Sequence, residues 1–180
     1  MSLVKVSGNA SGTGTLTIAA PNTNSDYTLT LPANTGTLLS TASAGTVLQV
    51  VNATTIAAIS TSSTSFVTTG FSVSITPSSS TSKVLLFVNG GGGFSADISR
   101  SIYSTIYRGA TNLGDATYGL ERIFGASSSV IAPHSMSVLD SPATTSSTTY
   151  TCYFRSTGLN VDFSAADRGI ISFTAMEIAA

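Results

Sequence analysis

Charge is what this sequence has least of. Aspartate, glutamate, lysine and arginine make up 8% of its 180 residues, against about 25% in an ordinary soluble domain. Seven basic and eight acidic side chains leave a net charge of −1. No basic cluster occurs, so neither a phosphate-tracking nucleic-acid surface nor attraction to an anionic membrane is expected. Before Lys83 the only charged side chains are Lys5 and Asp26.

Cysteine and histidine occur once each. Cys152 alone excludes an intrachain disulfide, and within the strand-like run Tyr150–Arg155 it reads as a small buried hydrophobe. His134, between Pro133 and Ser135, reads as a solvated loop residue. Together the two supply too few soft ligands for a metal site within one chain. The one metal arrangement open is three His134 side chains meeting on a three-fold axis. No cofactor is expected.

Long apolar runs are missing as well. The longest, Val84–Val88, is far too short to span a bilayer. Residues 1–8 hold no stretch resembling a signal peptide, so neither the usual export route nor membrane insertion is expected.

The usual catalytic patterns are also missing, and no enzyme activity is expected. No Gly-x-Ser-x-Gly elbow accompanies His134. The glycine cluster of residues 89–94 (NGGGGF) is followed by Ser95, Ala96 and Asp97 rather than the lysine and hydroxyl of a phosphate loop. It reads as a strand end where backbones approach closely or φ is positive. Glu121, Asp140, Asp162 and Asp167 are not grouped as a glycosidase pair would be. Turn caps and ion pairs with Arg100, Arg122, Arg155 or Arg168 are the expected roles of these acids.

What is present in quantity is serine and threonine, about a third of all positions, beside 42% hydrophobic residues. The surface is therefore wetted by hydroxyls and amides rather than ions. Threonine suits a pleated surface, and helix-forming stretches are lacking. The expected fold is all-β.

Residues 1–42 read as an arm. Short Thr/Leu strands begin near Thr15, Thr28 and Thr37, bounded by Pro, Asn or Gly. Strands of four or five residues cannot stand alone, so the same segment from identical chains is expected to complete them as a short shaft or docking arm. Leu3, Val4, Leu16 and Ile18 are its candidate attachment residues. Residues 41–46 form a linker, and residues 43–180 are expected to form a sandwich head of about eight strands. Predicted strands cover residues 47–51, 66–75 across a break at Gly70, 83–89, 101–108, 135–139, 148–155 and 169–178. Hydroxyl-rich turns fall at 78–82 and 140–147.

Tyr103, Tyr107, Tyr118 and Tyr153 lie in or near strands, where they are expected to pack at strand or subunit interfaces. A receptor would be met by the loops 90–97, 109–118 and 125–134, since loops on rigid scaffolds carry recognition. Phe94, Asp97, Asn112, Tyr118 and His134 are the candidate receptor-facing residues.

Three sets of motifs carry a family resemblance. Residues 12–22 (GTGTLTIAAPN), 27–32 (YTLTLP) and 35–39 (TGTLL) resemble a module of phage fibre and virion structural proteins. Residues 64–70 (TSFVTTG), 75–77 (ITP) and 81–86 (TSKVLL) resemble the start of small phage fibre heads, and 138–142 (VLDSP), 149–150 and 175–178 (AMEI) their later part. The resemblance implies a homotrimeric, jelly-roll head of the tumour-necrosis-factor-like or complement-head type, with no catalytic residues. It implies a virion-surface protein made in the host cytoplasm. Its arm would dock on capsid or tail proteins and its head would adsorb to a host-surface glycan. The alternative is a capsid decoration protein that stabilises the shell without binding a receptor.

Overall fold

A computed structural model of the chain describes residues 44–95, 100–125 and 130–180, with scattered positions between 11 and 26. Most of the arm of residues 1–42, including Leu3, Val4, Leu16 and Ile18, and the loop residue Asp97 lie outside the described residues.

Eleven strands are found among the described residues: β1 (Val47–Thr55), β2 (Ile59–Thr61), β3 (Val67–Ile75), β4 (Lys83–Ser95), β5 (Arg100–Arg108), β6 (Thr111–Asn112), β7 (Glu121–Gly125), β8 (Val130–Asp140), β9 (Thr148–Ser156), β10 (Val161–Ser164) and β11 (Ile171–Ile178). A single 3-10 turn, Ala166–Arg168, separates the last two. Every ladder is antiparallel. The expected all-β architecture holds.

The strands form two sheets. In the first, β4 is flanked by β8 on one edge and by β11 and then β10 on the other; β1 and β2 pair outside those two. In the second, the order is β3–β9–β5, with β7 and β6 sharing the free edge of β5. The pairs β1–β11, β3–β9, β4–β8 and β5–β7 are nested along the chain, like rungs of one long folded hairpin.

Period-two alternation packs the sheets face to face. Phe71, Val73 and Ile75 of β3 and Tyr150, Cys152 and Phe154 of β9 point inward from one sheet. Val84, Leu86 and Val88 of β4, Phe163 of β10 and Ile171, Phe173 and Ala175 of β11 meet them from the other. The rings of Phe71 and Phe173 pack at 5.8 Å, and those of Phe154 and Phe163 at 5.5 Å. The result is a β-sandwich with one core.

Strand β4 shows what the glycine cluster is for. The run lies inside the strand rather than at its end, and the β4–β8 register shifts between Gly90 and Gly93. Here the opposite edge of β4 changes partner from β11 to β10. Gly90 has φ +94°, and a Cβ there would sit 2.5 Å from the Ile170 carbonyl oxygen. At Gly93 a Cβ would meet Ile123 Cδ1 at 2.7 Å and His134 Cε1 at 3.2 Å. Only residues without a side chain allow this bulge.

Candidate functional site

The sequence-predicted site residues do not converge. Phe94 belongs to β4, half-buried, with the Arg168 guanidinium 4.5 Å above its ring. Asn112 belongs to β6 and builds a turn: its Oδ1 accepts from Thr105 Oγ1 (2.6 Å) and Gly114 N–H (3.0 Å), and its Nδ2 donates to the Asp115 carbonyl (3.1 Å). Tyr118 alone stands out from the surface, 60% exposed.

His134 overturns its reading as a solvated loop residue. It sits in β8, 1% exposed, and its ring stacks on Phe163 at 4.2 Å. Nε2 donates to the Phe163 carbonyl at 2.8 Å, and Nδ1 faces Glu121 Oε2 at 2.5 Å. The other Glu121 oxygen accepts the Ser135 N–H at 2.6 Å. A carbonyl can only accept, so Nε2 carries a hydrogen, and one further proton is shared between Nδ1 and the carboxyl. With both ring nitrogens engaged inside one chain, the imidazole cannot ligate a metal on a three-fold axis. Among the described residues no group of His, Cys, Asp and Glu side chains could hold a metal ion.

The acids are dispersed over separate networks. Asp140 accepts from Arg108 Nη1 (3.0 and 2.9 Å) and from the Tyr150 hydroxyl (2.7 Å). Burial, with the Asp140 hydrogen bond and charge, pushes the Tyr150 phenol well above its usual range. Asp162 pairs with Arg168 at 2.9 Å. Glu177 is buried and accepts from Gln49 Nε2 (2.6 Å) and from the N–H and hydroxyl of Ser78 (2.7 Å each). Burial alone would raise its pKa, but these hydrogen bonds prevail and hold it at about 2. Among the described residues, Arg122 and Arg155, named as candidate ion-pair partners, face no carboxylate.

Those two arginines mark the part of the surface that sequence reasoning missed. On the outer face of the second sheet, register places Arg122 of β7, Tyr103 of β5 and Arg155 of β9 in one cross-strand row. The Arg155 guanidinium lies 4.3 Å from the Tyr103 ring centroid, and the Arg122 guanidinium 5.6 Å. Arg122 also covers Phe124 at 4.5 Å, and Arg155 covers Phe66 at 5.5 Å. Tyr118 approaches Tyr103 at 5.7 Å, and Tyr107 stacks on Tyr153 at 4.0 Å.

The row is held in place from behind. Arg155 donates to the carbonyls of Thr117 and Thr64, which ties the loop after β6 and the segment before β3 to β9. Asp115 Oδ1 accepts the N–H groups of Thr117 (2.7 Å) and Tyr118 (2.6 Å), which lowers its pKa, the Tyr118 bond most. Gly119, with φ +70°, lets this loop press on β5; a Cβ there would lie 2.4 Å from the Ser104 carbonyl oxygen. A shallow recess of about 480 Å³ opens between Thr64, Phe66, Tyr107, Thr117 and Arg155.

The signal was present as even, same-face strand spacing: Tyr103 with Tyr107 at i, i+4, and Tyr153 with Arg155 and Arg122 with Phe124 at i, i+2. What was missing was the strand order that makes three separate pairs one surface. The tyrosines do pack across strands, as expected of them. No protein-family model matches the chain, and no curated protein is found similar to it.

Proposed function

We propose that the chain is a non-catalytic structural protein of a phage particle, the homotrimeric jelly-roll head of a short fibre or spike that adsorbs to a host-surface glycan. The nested pairs β1–β11, β3–β9, β4–β8 and β5–β7 support the jelly-roll part of this reading. The family resemblance of the sequence motifs supplies the particle and the oligomer.

The observation that carries this reading is the unlike chemistry of the two outer faces. On the first sheet, register aligns Val50, Met176, Leu85 and Leu139 in one apolar row across four strands. Val47 and Ile178 lie beside one end of that row and Phe87 next to its middle. Val47, Val50 and Leu139 are half or more exposed to water in the single chain. A contiguous apolar band of this kind needs cover, and identical copies about an axis supply it. The second sheet instead presents arginines and aromatic rings, which suit a polar, ring-shaped ligand.

The reading is tested in two measurements. Light scattering at micromolar concentration should give three times the chain mass; a well-folded monomer contradicts the trimer. Fluorescently labelled protein should bind bacterial cells from a panel of strains. Absence of cell binding, with labelled protein coating capsid shells in many copies and raising their heat tolerance, would favour the decoration role instead.

A further inference from the structure

We propose that the Arg122–Tyr103–Arg155 row with Tyr118 and Phe124 is a binding site for a carboxylate-bearing sugar; this rests on the glycan-adsorption reading and names its ligand and its residues.

Charge is the first argument. In a chain with seven basic residues, two guanidiniums are gathered on one sheet face, and among the described residues neither has a carboxylate within salt-bridge reach. Arg108 and Arg168, by contrast, are paired with Asp140 and Asp162. The nearest acid of the loop, Asp115, is turned into its own backbone. Two cations held together without counter-charge favour an anion at that place.

Geometry is the second argument. Arg122 donates through Nε to Ser101 Oγ at 2.9 Å, and its plane lies over Phe124 and Tyr103. That fixes the fork while both terminal nitrogens stay available, the arrangement that grips a planar carboxylate through two parallel hydrogen bonds. Arg155 spends its donors on backbone carbonyls, so it adds field and positions the loop rather than gripping the ligand. Little ordering remains to be done on binding.

The rings decide the class of anion. Tyr118 is 60% and Phe124 44% exposed, on either side of the arginine row. Exposed aromatic faces flanking a cation accept the C–H face of a pyranose while the cation holds its acid group. A nucleic-acid strand would need a succession of phosphate contacts, and among the described residues of this row two guanidiniums, Arg122 and Arg155, lack a carboxylate partner. A sugar acid needs one.

The test is an NMR titration of the full chain with four sugars: N-acetylneuraminic acid, glucuronic acid, galactose and N-acetylglucosamine. At least one sugar acid should bind in the millimolar range and shift signals of Arg122, Tyr103, Tyr118 and Phe124, while the neutral sugars leave them in place. R122Q should weaken that binding about tenfold while the circular dichroism spectrum of the folded protein is kept, and R122K should restore charge without the two-pronged grip and recover only part. Shift mapping on the unsubstituted protein answers the question even if R122Q does not fold.

Equal shifts from neutral and acidic sugars, shifts confined to another surface, or tighter binding of oligothymidylate at this face would each overturn the site. If labelled protein binds cells but no sugar acid binds here, this inference fails and the adsorption role stands. If neither binds, both fail.

Discussion

Glu121 of β7 and His134 of β8 meet at 2.5 Å across the gap between the two sheets, with the imidazole wholly enclosed. One belongs to each sheet, so the contact bridges the sandwich rather than a single ladder. Removing either partner leaves the other buried without its charge-assisted hydrogen bond, a loss of about 3–5 kcal/mol. H134A and E121A should each lower stability by that order in urea denaturation. The double variant should cost clearly less than the sum, because the two losses share one cause. Additive costs would show that the pair is not coupled.

Glu177 gives the sandwich an acid-sensitive tether. Its carboxylate joins β11 to Gln49 of β1 and to Ser78 in the turn before β4. Its folded value of about 2 lies below its ordinary 4.5, so the unfolded chain binds the proton more readily. The stabilisation is complete above pH 4.5 and is lost as pH falls towards 2. Urea midpoints of the parent protein should therefore drop across that window, and E177Q should flatten the drop. An identical acid profile for E177Q would contradict the assignment.

The apolar row on the first sheet should respond to charge without unfolding the chain. Val50 and Leu139 are exposed in the single chain, so V50E and L139E should keep their circular dichroism spectra. Sedimentation velocity should then show monomers for these variants and the proposed trimer for the parent. Persistence of trimers in the double variant would place the subunit contact elsewhere.

Cys152 lies fully buried on the inner face of β9. Burial, reinforced by the Glu121 charge, pushes its thiol pKa far up, so little thiolate forms at neutral pH. A thiol reagent should label it only as fast as the native structure opens, and labelling should become immediate in urea. Rapid labelling of the native protein would sink this prediction.

Much of the strand pattern was legible because β signals are local. Phe71, Val73 and Ile75 alternate with serines, and the hydroxyl-rich stretches 78–82 and 140–147 separate β3 from β4 and β8 from β9. Cys152 could be read as buried from its neighbours alone. Four short strands, β2, β6, β7 and β10, were not foreseen. The longest of them has five residues, too few for alternation to rise above a Ser/Thr-rich background. The sequence puts a break at Gly70, yet β3 continues through it with a register shift between Thr68 and Ser72.

By itself, then, the sequence determined the all-β composition, the hydroxyl-wetted surface and the inward positions of the long strands, because each follows from period-two spacing within one segment. The tertiary structure alone decided that His134 is enclosed and that Arg122, Tyr103 and Arg155 form one row. Those outcomes depend on which strands become neighbours and in what register. That choice is made by burying two sheets against each other, and no window along the chain contains it.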